Sequence, residues 1–155
     1  MKRATILFFI AVVGLIAGRI FTYLLYLRYG YPNNIWVELN PLLHSCLLSG
    51  EVWLFWIHTV FSVLSLYLLY RLTLSKIIYA RVFGRVLLYG LAFGFTLDAI
   101  NDAMVYYLAA GIPYEVASVA VVVGGICGGV EGLYEVRRQV MQRVVEYGEG
   151  CRQSY

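Results

Sequence analysis

Four stretches of this chain are each long and apolar enough to cross a lipid bilayer, and that leaves few folds open. They run 4–27, 52–70, 86–110 and 114–134. About 20 helical residues cross the hydrocarbon core. Inside lipid every backbone polar group must be satisfied by the protein itself, so only helices and closed barrels can span. Continuous apolar runs of this length predict helices, and hence an all-α integral membrane four-helix bundle. Composition agrees. The chain is 61% hydrophobic and 14% charged, with a mean hydropathy of +0.75, whereas soluble domains are about 45–50% apolar and about 25% charged. Its 155 residues fit one transmembrane domain, over 1–147. Aromatic residues make up 16% of the chain, with 14 Tyr, and such rings collect at membrane interfaces.

The charges give an orientation. Lys2 and Arg3 precede the first span. Arg71, Lys76, Arg81 and Arg85 lie between the second and third, and Arg137, Arg138, Arg143 and Arg152 follow the fourth. The opposite side carries Arg28 with Glu38, Glu51 and Glu115. The positive-inside rule therefore predicts both termini in the cytoplasm of a cell-membrane protein, and an even number of spans likewise puts them on one side. The basic residues form short membrane-flanking clusters rather than a face with stacking aromatics, which excludes a nucleic-acid binder. The opening Met1-Lys2-Arg3 resembles the start of a signal peptide. The apolar run after it is longer than the ~7–15 residues such peptides use, so it reads as a retained first span. Cys46, Cys127 and Cys151 have no CxxC spacing and no disulfide framework.

Turn chemistry divides the rest. Tyr31-Pro32-Asn33-Asn34 marks a turn. Asn40 followed by Pro41 reads as an N-cap with Pro at the first helical position. It opens a short interfacial helix, 41–48, with Leu42, Leu43, Leu47 and Leu48 dipping into the interface, and Ser49-Gly50-Glu51 ends it. Gly111-Ile112-Pro113 joins spans three and four into an antiparallel hairpin. Val136, Val140, Val144 and Tyr147 keep helical spacing, which predicts a cytoplasmic surface helix over 135–147 and a disordered tail over 148–155.

The order of a first span, then Glu38-Leu39-Asn40-Pro41, then three more spans resembles an uncharacterised prokaryotic family of small membrane proteins with an E-x-N-P motif after the first helix. The resemblance covers 4–70. It implies a fold and no activity, and it singles out Glu38, Asn40 and Pro41. That family carries an acid about one turn before a Thr in the first span; here Arg19 precedes Thr22 instead.

The chemistry-bearing residues lie inside the spans, where charges are costly and mark a function or a packing need. Asp98 and Asp102 are four apart, about 6 Å along one helix face, with Asn101 at its edge. Counted at 1.5 Å per residue, Asp102, Arg19 and His58 lie roughly 10–13 Å from the outer ends of three different spans. Arg19 is the only base within these spans, against Asp98, Asp102 and Glu131. Arg does not deprotonate and must be paired, and equal depth points to Asp102, with Asp98 the competitor. The acids left over must be protonated, hydrated or bound to a cation. A ladder from Glu131 through Asp98 to Asp102 is what a proton or cation path needs, and a solvated crevice without transport would look the same.

Ala120, Gly124, Gly128 and Gly132 form a small-xxx-small row that lets two helices approach closely, either within the hairpin or between subunits. Glu131 beside this row is similar, by analogy alone, to the glycine-rich helices of ATPase rotor rings. His44 and His58 are fourteen apart, close to the spacing of stacked haem ligands on one helix, with a symmetric dimer supplying the second ligands. There is no HExxH, GxSxG, P-loop or CxxC, and no metal set is read. Three readings remain open. The first is a small oligomeric membrane module whose acids bind protons or cations. The second is a structural or partner subunit whose charges fix packing. The third is a haem-binding membrane subunit.

Overall fold

The computed structural model describes residues 2–31 and 40–152. The described residues form five helices: α1 (Lys2–Tyr29), α2 (Pro41–Ser49), α3 (Val52–Thr73), α4 (Ile78–Leu108) and α5 (Tyr114–Arg152). Four of them, all but α2, are long and apolar enough to cross a membrane. The architecture is an all-α four-helix bundle with one short extra helix. Only 17 to 33% of each candidate span is buried by the protein, and α4 is the most buried. The remaining surface is still apolar, with Phe9, Val13, Phe61, Leu68, Val122 and Ile126 pointing outward, as lipid contact requires.

Local chemistry sets the helix ends. Asn40 Oδ1 accepts from Leu42 N–H at 3.1 Å, and Pro41 follows as the first helical residue. Gly50 ends α2 at φ 74°, where a Cβ would be strained, and its N–H reaches back to the Cys46 and Leu47 carbonyls. The motif residue Glu38 lies outside the described residues. Leu43 and Leu47 are buried with Phe55 of α3 and pack on Tyr23 and Tyr26 of α1. Leu42 and Leu48 point away. The expectation that all four leucines dip into the interface is therefore corrected for Leu43 and Leu47, which belong to the protein core.

Two boundaries differ from the sequence reading. α4 begins at Ile78 and not at Val86, because Arg81 and Arg85 do not break a helix. α5 runs unbroken past Tyr134 and Tyr147 to Arg152, so the segment from Gly148 expected as a disordered tail is helical as far as Arg152.

α4 is the central element, packing on α1, α3 and α5. Each contact is floored by glycine. A Cβ at Gly128 would lie 2.6 Å from the Arg85 carbonyl oxygen, and one at Gly124 would lie 2.8 Å from that of Tyr89. The predicted row thus joins α5 to α4 within the hairpin, and Gly132 meets Val82 there. On the other side a Cβ at Gly14 would come within 3.0 Å of the Phe95–Thr96 backbone. Between α1, α3 and α4 the core is Ala11, Leu15, Leu66, Leu88 and Ala92.

Candidate functional site

Toward the α2 end of the bundle, α1, α3 and α4 bring polar side chains together. α1 contributes Arg19 and Thr22, which are three apart on one face and only 6% and 2% exposed. Thr22 Oγ1 donates to Asp102 Oδ2 at 2.6 Å. This bond sets Asp102 level with Thr22, one turn along α1 from Arg19, while Gly18, next to Arg19, faces Asp98 and Ala99. α3 contributes Phe55, Thr59 and His58. The Arg19 guanidinium lies 5.8 Å from the centre of the Phe55 ring, a favourable placement for a desolvated cation. The Arg19 charge also acts on both His58 and Asp98. Ser62 Oγ lies 3.5 Å from His58 Nδ1 and donates to the His58 carbonyl at 2.9 Å.

The two acids differ in setting. Asp102 is half-buried and held by Thr22. Asp98, one turn away, is exposed on α4. Its Oδ2 would lie 3.2 Å from a Cβ at Gly18, so the glycine leaves room for the carboxylate. Asp98 is ten residues from the end of α4 at Leu108, or about 15 Å, which is half the thickness of a ~30 Å hydrocarbon core.

Other candidates lie elsewhere or do other work. Asn101 Oδ1 accepts from Ile112 N–H at 2.6 Å, while its Nδ2 is 3.5 Å from Asp102 Oδ1. The side chain clamps the turn that follows the left-handed Ala109 (φ 52°), rather than standing open to an ion. Glu131 sits at the opposite end of the bundle, 3.7 Å from Arg3 Nη1. Gly128 beside it packs on Arg85, and Asp98 is thirteen residues further along α4, roughly 20 Å away. The Ala11, Leu15, Leu66, Leu88 and Ala92 core fills the space between. The ladder from Glu131 to Asp98 is therefore interrupted by an apolar layer.

His44 and His58 occupy different helices, separated by the break at Gly50. The His44 ring meets the Tyr31 hydroxyl. The single-helix spacing behind the haem reading does not exist. Among the described residues no group of three His, Cys, Asp or Glu could hold a metal ion, and Cys46 and Cys127 are free thiols.

Three features escape the sequence reading. Gly14 and Gly18 are four apart on the first span, and the rule applied to the fourth span would have found them. Thr22 enters the sequence reading only through the family resemblance, and nothing there points to its bond with Asp102. Arg85, 7% exposed, pairs through Nη2 with Glu135 of α5, and Arg81 Nη1 lies 3.5 Å from the same carboxylate. That cluster needs the antiparallel register of α4 and α5, which no local pattern carries. Compared with known protein families, curated proteins and solved structures, the chain matches none.

Proposed function

We propose that this is a multi-pass membrane protein with both termini in the cytoplasm, in which Asp98 is a proton- or cation-binding acid. Arg19, Thr22 and Asp102 hold the three helices around it. The observation that carries the reading is an acid about midway along a span, its carboxylate set against Gly18 of α1, one turn from a second acid and near the buried Arg19. A bare carboxylate in hydrocarbon is too costly to persist. Asp98 must therefore rest on the Arg19 charge, take up a proton, bind a cation, or be covered by another chain. The last of these would place the protein in a homo-oligomer or a larger membrane complex. The apolar layer beneath Asp98 makes a fixed pore through one copy unnecessary to the idea; the acid is a binding site reached from one side.

The Thr22–Asp102 hydrogen bond favours a second reading for part of the cluster, in which its charges only fix helix packing. Proton and alkali-cation binding by the purified protein in detergent separates the two, comparing the wild type with Asp98→Asn by calorimetry. Saturable uptake that Asp98→Asn abolishes supports the binding role. Equal uptake, or none, in both proteins leaves the packing role alone.

A further inference from the structure

At the end of the bundle remote from Asp98, α1, α4 and α5 enclose a polar cavity of about 220 Å³. Arg3, Arg85, Glu131 and Glu135 line it, and it opens into a wider cleft edged by Arg138. We propose that this cavity binds a phosphate group, carried by an anionic lipid headgroup or by a soluble phosphate.

Four observations point there. The first is charge: Arg3, Arg85 and Arg138 line the cavity and cleft against Glu131 and Glu135, and Arg81, outside both, also pairs with Glu135. The second is how the acids are already used. Glu135 is shared by Arg81, Arg85 and Gln139, and Glu131 is met at 3.7 Å by Arg3, whose side chain is 82% exposed. The third is Arg85. Its side chain is 9% exposed, and its Nε and Nη1 are buried without a hydrogen-bond partner. A guanidinium offers five donors in a planar fork that suits phosphate, and this one has donors to spare at a cavity wall. The fourth is depth. Arg85 is twenty-three residues from Leu108, about 35 Å, just past a ~30 Å hydrocarbon core and so at headgroup level. Basic pockets between helices on the cytoplasmic side are where anionic headgroups bind. The cavity is roomy enough for a phosphate group with residual hydration. The site is roughly 20 Å from Asp98 and does not depend on what Asp98 binds.

The test is thermal stability of the full chain, in two arms. One compares nanodiscs of phosphatidylcholine with nanodiscs containing phosphatidylglycerol. The other titrates inorganic phosphate at constant ionic strength in neutral detergent. The double variant Arg3→Gln with Arg138→Gln changes only exposed side chains and should fold. Arg137→Gln, exposed and outside the cleft, is the control for general surface charge. Saturable stabilisation in the lipid arm alone assigns a headgroup, and saturation by phosphate assigns a soluble ligand. In either arm the double variant should weaken apparent affinity about tenfold or more, and Arg137→Gln should not. No saturable stabilisation in either arm, or equal losses in the double variant and in the control, overturns the proposal.

Discussion

Gly128 and Gly129 are neighbours on α5, and the structure gives them opposite tolerances. A Cβ at Gly128 would lie 2.6 Å from the Arg85 carbonyl oxygen, 2.9 Å from its carbon and 3.0 Å from Tyr89 Cβ. The first two are backbone atoms and cannot swing aside, so α4 and α5 must part. One turn up, Gly124 has the same relation to Tyr89, and the strain is shared along the seam. A Cβ at Gly129 would meet only Val86 Cγ2, at 3.5 Å, close to the ordinary optimum of ~3.5–4.0 Å between carbons. Both Gly→Ala changes gain the same helix propensity, about 1 kcal/mol, so that contribution cancels in the comparison. What remains is overpacking, typically ~1–3 kcal/mol. Gly128→Ala should thus be less stable than Gly129→Ala by about that amount, and Gly129→Ala should be at least as stable as wild type. Thermal unfolding in detergent, followed by circular dichroism, measures the difference. If the two variants prove equally stable, or Gly129→Ala is the worse, then α5 presents a different face to α4 and the hairpin register is wrong.

Two further changes address the polar cluster. Arg19→Met should cost ~3–5 kcal/mol if it strands a buried carboxylate; in double-mutant cycles its coupling should be large with Asp102→Asn and small with Asp98→Asn, and the reverse ranking would make Asp98 the structural partner. Asn101→Ala removes the acceptor of the Ile112 N–H and should cost ~1–3 kcal/mol, with faster hydrogen exchange at Ile112; unchanged exchange would mean that the turn is held by something else.

The sequence shows how far along each span a charge sits, but not the direction in which it points. Hydropathy delivers the four spans, and counting residues from their ends puts Arg19, His58 and Asp102 at one level, where α1, α3 and α4 do meet. The same count places Glu131 near the basic end, and Arg3 is beside it there. The ladder fails at a different step. Joining Glu131 to Asp98 assumes that polar residues at successive depths see one another. On α4, Leu88 and Ala92 lie between Arg85 and Asp98, and both point into the core with Ala11, Leu15 and Leu66. Only helix packing reveals that this layer is closed. Azimuth also separates Asp98 from Asp102. Four residues make slightly more than one turn, about 40° of rotation, and with that offset Asp102 meets Thr22 while Asp98 stays exposed. Arg85 is the converse case. It reads as a loop charge because its partner, Glu135, is fifty residues away, and its burial follows from the register that Gly124, Gly128 and Gly132 impose on α5. The bundle therefore holds two polar centres, one at each end of a packed apolar layer. If Asp98 takes up an ion or proton as proposed, the buried Leu15, Leu66 and Leu88 stand between it and the basic end, so release on that side needs α3 or a neighbouring subunit to move.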